Sequence, residues 1–262
     1  MKPKTALVCR SVQLRAGGRT LVESLDLSVS IEDRWVVLGP NGAGKSTLLA
    51  VLAGVHAPVA GAIECDGRPL SDYNVTALAE RRALVTDRWH DPFSASVLDT
   101  VLTARFRFGA GRNGADPGGR EIAHAALLAL DCAALANRDV RRLSRGERQR
   151  VAISTALAQD TPLLLLDEPT SHQDPRHQTL VLDALRSLPG RTVLASMHDV
   201  NAAARMATHA LLLAGDGSWH AGPAADLLTA SRLSQLFGTD FVALPAGDGK
   251  RVFVQEHGDA SL

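Results

Sequence analysis

The sequence predicts an α/β fold with a mainly parallel sheet, an N-terminal antiparallel β subdomain and an inserted α-helical subdomain, on three observations. The stretch Gly39-Pro40-Asn41-Gly42-Ala43-Gly44-Lys45-Ser46 fits the phosphate-binding pattern G-x-x-x-x-G-K-[ST], between an apolar strand, Trp35-Val36-Val37-Leu38, and a helix opening at Thr47. Two later runs, Leu163-Leu164-Leu165-Leu166 and Thr192-Val193-Leu194-Ala195-Ser196, are unbroken in the way of strands covered on both faces. Between residues 88 and 158 the pattern turns helical, which marks an insertion into the α/β core.

Ahead of the phosphate-binding stretch, residues 5–38 carry short alternations around Gly17-Gly18, such as Val12-Gln13-Leu14 and Leu25-Asp26-Leu27-Ser28-Val29. These read as antiparallel strands. After a helix over residues 47–52, Gly61-Ala62-Ile63-Glu64-Cys65 followed by Asp66-Gly67 reads as a hairpin, because Asp-Gly accepts the positive φ of a tight turn. Arg82-Ala83-Leu84-Val85-Thr86 is a buried strand ending at Asp87. Within the insertion, residues 121–130 and 147–158 are helices, and the glycine-rich stretch 109–119 is an exposed loop. A helix over residues 175–188 joins the two buried strands, a spacing that suits a right-handed crossover. A hairpin around Gly215-Asp216-Gly217 and short helices over 224–228 and 231–237 follow. One domain over residues 1–240 is expected, with the helical subdomain at 88–158 inside it; the tail 241–262, with Gly247, Gly249 and Gly258, receives no element.

A chain of 262 residues with 45% hydrophobic residues can bury a full core. Its formal net charge of zero removes any overall electrostatic case for nucleic acid or for an anionic membrane surface. Cys9, Cys65 and Cys132 are far apart and odd in number, which suits small buried residues in a reducing compartment rather than a disulfide framework. Met1-Lys2-Pro3-Lys4-Thr5 is not followed by a signal-type apolar region, and no uncharged apolar stretch of about 18 residues is present, so no membrane-crossing segment is expected. His172 and His177 are five apart and His90 adjoins Asp91, but no metal-binding spacing appears, and these histidines read as surface residues.

The chemistry of the glycine-rich stretch follows from its backbone. Glycines let consecutive N–H groups converge on an anion, and the helix beyond adds unpaired donors and the positive end of its dipole. Lys45 can reach β and γ phosphates, the Ser46 hydroxyl can hold one position of a Mg²⁺, and Thr47 is placed for the α phosphate. The strand ending in Asp167 and Glu168 supplies the complement: Asp167 to hold Mg²⁺ through water, Glu168 to polarise a water for in-line attack on the γ phosphate.

Leu143-Ser144-Arg145-Gly146-Glu147-Arg148-Gln149 places a serine and a glycine at the start of a helix, a second anion-binding terminus that a single nucleotide does not need from one subunit. This heptapeptide resembles the LSGGQ signature of ATP-binding cassette (ABC) ATPases, and it lies upstream of the acidic strand as in that family. The resemblance covers nearly the whole chain. It implies a P-loop NTPase core of the RecA-like type, ATP and Mg²⁺ as cofactors, and a head-to-tail dimer of identical or paralogous subunits. In that dimer Ser144, Arg145, Gly146 and Glu147 of one copy would face the γ phosphate held by Lys45 of the other. By the same resemblance Ser171-His172-Gln173-Asp174 is the D-loop, with Asp174 crossing the interface, and His198 is the switch histidine that contacts the γ phosphate.

The chain departs from the family pattern at three places. Asp87 stands where a glutamine normally couples nucleotide state to the transport partner, and the expectation is altered coupling with ATP binding preserved. The aromatic that stacks on adenine is replaced by Ala16, with Arg15 beside it either stacking through its guanidinium or simply exposed. Arg145 and Glu147 replace a glycine and the glutamine of the signature. Met197-His198-Asp199-Val200-Asn201-Ala202-Ala203-Ala204, Gly222-Pro223-Ala224, Leu227-Leu228-Thr229 and Leu236-Phe237-Gly238 are similar to the bacterial importers of iron-siderophore, haem and cobalamin cargo. That likeness implies integral membrane permease subunits as partners and a peripheral position on the cytoplasmic face of the inner membrane. Asp91-Pro92-Phe93-Ser94-Ala95-Ser96-Val97 is the candidate contact loop, where Trp89 and Phe93 either bury against the permease or pack internally. A soluble ABC ATPase acting as a conformational clamp is the alternative; a GTPase is disfavoured by the absence of an Asn-Lys-x-Asp motif.

Overall fold

The computed structural model describes residues 4–87, 93–109, 116–247 and 251–256. Strands β1 (Thr5–Ala16) and β2 (Arg19–Ser30) pair antiparallel across a turn at Gly17 and Gly18, whose φ of +56° and +78° need glycine. Next, β3 (Arg34–Leu38) runs into the phosphate-binding loop and α1 (Lys45–Leu52). Strands β4 (Ala60–Cys65) and β5 (Arg68–Pro69) form the expected Asp66-Gly67 hairpin and complete a four-stranded sheet in the order β2-β1-β4-β5.

A short α2 (Val75–Ala79) precedes β6 (Arg82–Val85), after which the helical insertion begins. Its helices are α3 (Val97–Thr103), α4 (Phe106–Gly109), α5 (Gly119–Ala129) and α6 (Arg145–Ala158). Both long helices start two residues earlier than the apolar periodicity indicates, because Gly118 and Ser144 take the capping positions. Arg105, almost fully buried, grips Asp116 through Nε at 2.8 Å and the Ala158 carbonyl through Nη1 at 3.1 Å, fastening the insertion to the end of α6.

The core resumes with β7 (Leu163–Asp167), α7 (Pro175–Arg186), β8 (Thr192–Ser196), α8 (Val200–Met206), β9 (His209–Leu213) and β10 (Trp219–Pro223). The six-stranded sheet has the order β10-β9-β3-β8-β7-β6, parallel throughout except for β10 at its edge. Alternate residues of its strands serve two cores. Val36, Leu38, Leu164 and Leu166 pack with the helical insertion, α7 and α8, while Trp35, Val37, Leu163 and Leu165 pack with α1 and the antiparallel sheet. That double coverage is why these strands read as unbroken apolar runs. All three cysteines are free and buried, and burial pushes the Cys9 thiol up to about 12.

After α9 (Ala224–Leu227) and α10 (Ala230–Phe237), the tail is not without structure: β11 (Phe241–Pro245) and β12 (Arg251–Gln255) form a hairpin. Phe253 is buried in the main core, and the Asn201 side chain stands in for a neighbouring strand, donating to the Phe253 carbonyl at 2.9 Å and accepting from its N–H at 2.8 Å. Gly249, Gly258 and most of the loop expected at 109–119 fall outside the described residues.

Arg34, the first residue of β3, is buried and closes the C-terminal end of α7. Its guanidinium donates to the carbonyls of Leu185 at 3.1 Å, Leu188 at 2.6 Å, Arg191 at 2.6 Å and Glu32 at 2.9 Å. Helix-end carbonyls have no partner within the helix and carry the negative end of its dipole, so a cation satisfies both needs. Arg34→Met leaves several of these carbonyls without a donor, and a loss of about 3 kcal/mol in urea unfolding is expected.

Candidate active site

The phosphate-binding loop is shaped by close approach as much as by turn chemistry. A Cβ on Gly39 would lie 2.3 Å from the Leu213 carbonyl oxygen, so the loop passes against the end of β9 where no side chain fits. Gly44, at φ +100°, caps α1, and helical bonding starts with the Leu48 N–H donating to Gly44 at 2.8 Å. The N–H groups of Lys45, Ser46 and Thr47 are thus left without intrahelical acceptors, at the positive end of the helix. Lys45 is buried, and its Nζ donates to the carbonyls of Gly39 at 2.8 Å and Pro40 at 3.2 Å. Burial lowers its pKa; the carboxylates of Glu168 and Asp167 act in the opposite direction, so the ammonium sits within the field of the acidic pair. Asn41 and Ser46 are exposed at the mouth of the loop, while Ala43 and the Pro40 carbonyl form its inner turn through a 3.2 Å backbone bond.

The acidic pair is held by Ser196, to which the sequence assigns no role, and by Ser171, which it names only as the start of the D-loop. Ser196, at the end of β8, pairs in parallel register with Asp167 at the end of β7. Its hydroxyl donates to Asp167 Oδ1 at 2.5 Å and accepts from the Glu168 N–H at 3.0 Å, so one buried oxygen positions both acids. Glu168 has a left-handed backbone, φ +50°, rare for a residue with a side chain. Its Oε2 accepts from the Ser171 hydroxyl at 2.9 Å, and its Oε1 is in hydrogen-bond contact with His198 Nε2. His198 lies beyond the end of β8 and is exposed on its other side. Ser196 and Ser171 become visible only once the parallel register and the loop after β7 are known. For Ser196 the sole signal was a serine at a strand end.

The heptapeptide at 143–149 builds a capping box. Ser144 Oγ accepts from the Glu147 N–H at 3.3 Å, and the Glu147 carboxylate accepts from the Ser144 N–H at 2.8 Å. That backbone donor is the main cause of the lowered pKa of Glu147. Arg145 is exposed at the first helical position. Gly146 is buried, and a Cβ there would lie 2.7 Å from the His172 carbonyl oxygen, so the signature helix packs directly on the loop after β7. Gln149 continues that contact, its Nε2 lying 3.5 Å from the Asp167 and Glu168 carbonyls.

The loop 39–47, Asp167, Glu168 and His198 therefore meet at one end of the sheet. Among the described residues, the hydrogen bonds of Ser144 go instead to its own helix, at Glu147 and Arg148. Asp174 caps α7, accepting from the His177 N–H at 2.9 Å, which depresses its pKa. Asp87 lies 3.9 Å from His172, carboxylate oxygen to Nε2. Arg15 and Ala16 are both exposed at the end of the β1–β2 hairpin. Phe93 is 80% exposed and Val97 is buried, while Trp89, His90, Asp91 and Pro92 fall outside the described residues.

Chemically, the arrangement offers a cradle of backbone donors and a lysine for a polyphosphate, with a carboxylate beyond it whose neighbours fix its direction. No group of three or more His, Cys, Asp and Glu suited to a metal occurs among the described residues. Ser46 and Asp167 supply two oxygens of the kind a hard cation takes when its other ligands are water and phosphate.

Comparison with known proteins agrees with this geometry. Residues 22–171 match the family model described as ABC transporter. The hemin import ATP-binding protein HmuV of Pseudomonas entomophila (strain L48) is 39% identical over 241 residues, covering 89% of this chain and 93% of that one. The iron(3+)-hydroxamate import ATP-binding protein FhuC of Bacillus subtilis (strain 168) is 35% identical, covering 86% and 84%. Among solved structures, a chain of an inward-facing transporter described as of the metal-chelate ABC type superposes with a TM-score of 0.82 at 30% identity, covering 97% of this chain and 98% of that one. A family match over more than half of the sequence, and relatives this similar along nearly all of it, show that the chain belongs to the ABC transporter family.

Proposed function

We propose that the protein is the ATP-hydrolysing subunit of an ABC importer, working as a head-to-tail dimer beneath separate membrane permease subunits, with cargo of the haem or iron-siderophore class. The observation that carries this reading is the pair of separate helix N-termini within one chain. The first, at Lys45, sits in the field of Glu168, which contacts His198, whereas the second, at Ser144, makes its hydrogen bonds within its own helix. A second copy turned head to tail would bring each Ser144 terminus to the other's Lys45. The names of the relatives, which are import ATP-binding proteins for hemin and iron(3+)-hydroxamate, support the cargo class. Among the described residues no helix is long and apolar enough to cross a membrane, and exposed Phe93 offers an apolar contact to subunits that do.

In this reading the N–H groups of residues 45–47 and the Lys45 ammonium bind the phosphates. Ser46 and, through water, Asp167 would hold the Mg²⁺ that accompanies ATP; that ion supplies neutralisation of the β and γ charge. Glu168, its carboxylate aimed by Ser171 and His198, takes the role of base toward the attacking water. Ser196 fixes the spacing of the two acids. Asp174 belongs to the face that the second copy covers.

Glu168→Gln is expected to lower ATP turnover by about 10²- to 10⁴-fold and to trap an ATP-dependent dimer in light scattering. A variant that stays monomeric with undiminished hydrolysis would sink the mechanism. Asp87→Gln should leave ATP affinity within about twofold and change the turnover stimulated by the permease; identical stimulated rates would remove the role given to Asp87. Recovery from cells wholly apart from membranes, with no integral membrane subunit bound, would favour a soluble clamp-type ABC ATPase instead.

A further inference from the structure

His177, read from sequence as a surface residue, is largely enclosed, with its side chain only 17% exposed. Its Nδ1 lies 2.8 Å from Asp174 Oδ2, and its Nε2 lies 3.5 Å from Asp131 Oδ2. Arg176 Nη2 reaches the same Asp131 oxygen at 3.1 Å. The two acids come from different parts of the molecule. Asp131 follows α5 in the helical insertion, at a left-handed φ of +54°, whereas Asp174 ends the loop that leaves β7 at Glu168. The two ring nitrogens point to opposite sides, so one ring spans both carboxylates.

Each end of this bridge is fastened to machinery. On the insertion side, Arg150 of α6 donates to the Leu130 carbonyl at 3.1 Å, and Ser154 of α6 donates to the Ala126 carbonyl at 3.1 Å, so the segment that carries Asp131 moves with the helix that Ser144 opens. On the core side, the Ser171 N–H donates to the Glu168 carbonyl at 3.1 Å, and its hydroxyl donates to the Glu168 carboxylate at 2.9 Å. Beside the direct packing of Gly146 and Gln149 on the loop after β7, a second run of contacts thus leads from the insertion to the glutamate through the His177 imidazole.

We propose that His177 is a positioning residue for ATP hydrolysis, tying the helical insertion through Asp131 to the loop 168–174, so that the signature helix and the hydrolytic glutamate keep a fixed relation. The proposal rests on the ATP-sandwich reading, since only there does the placement of α6 bear on catalysis. Its effect belongs in turnover rather than in melting temperature, because Asp131 is half exposed and such pairs add little to stability.

The test uses the full chain and measures kcat and KM for MgATP in His177→Leu, His177→Arg, Asp131→Asn and the double variant Asp131→Asn/His177→Leu. Expected are a fall in kcat of about tenfold for His177→Leu with KM within about twofold, and recovery to at least about half of wild type with arginine, whose N–H donors reach both carboxylates. Asp131→Asn should also slow turnover, and the double variant should be no slower than His177→Leu alone, as expected of two members of one contact. Unchanged kcat in His177→Leu, an arginine variant as slow as the leucine one, or multiplying effects in the double variant would each overturn the proposal. Ser144→Ala is measured alongside. Should it turn over ATP like wild type, the sandwich reading itself fails, an outcome separate from the failure of the bridge.

Discussion

The row Val37, Ser196 and Asp167, formed where β3, β8 and β7 lie in parallel register, is the constraint on which the site depends. Parallel strands deliver the loops beyond their C-terminal ends to one edge of a sheet, and ligands in open α/β folds bind in that crevice. Here the three adjacent strands deliver the phosphate-binding loop, His198 and the acidic pair. None of these groups needs to be near another in sequence. A slip of one residue between β7 and β8 would turn Asp167 to the opposite face and leave Ser196 with neither acid to bond.

Around that row, charge is balanced by burial and short contacts. The Lys45 ammonium is partly desolvated, which lowers its pKa, and the Glu168 and Asp167 carboxylates offset that loss only in part. Its two carbonyl partners, Gly39 and Pro40, belong to the same turn, so the loop is closed on itself by its own lysine. At the opposite end of β3, Arg34 ties the strand to the terminus of α7. Strand β3 is thereby anchored at entry by a cation on a helix C-terminus and released at exit into a helix N-terminus. The two ends thus meet opposite dipole poles, of α7 and of α1.

Much of this was legible in the sequence. The glycine pattern with its flanking strand and helix, the leucine run ending in two acids, and the heptapeptide at 143–149 are local features whose meaning depends on spacing alone. What was not legible depends on pairing across the chain. Ser196 is an ordinary serine until register sets it beside Asp167. His177 is an ordinary helical histidine until α5 brings Asp131 to its far edge. The Ser144-x-x-Glu147 spacing carries a capping box as well as an anion-binding terminus. The tail receives no element from its sequence because glycines interrupt it, and the hairpin there is recognised only once Phe253 enters the main core and pairs with the Asn201 side chain.

The backbone of Glu168 has one more consequence. A side-chain-bearing residue held in the left-handed region carries a conformational cost of about 1–3 kcal/mol, which glycine would not and which asparagine would carry in part. Directed evolution for heat resistance that ignores turnover would therefore weigh that backbone cost against the carboxylate's contacts with Ser171 and His198. If Glu168 is the base proposed above, retaining an acid at that point trades robustness for chemistry, and selection for thermal tolerance and selection for work pull this one residue in opposite directions.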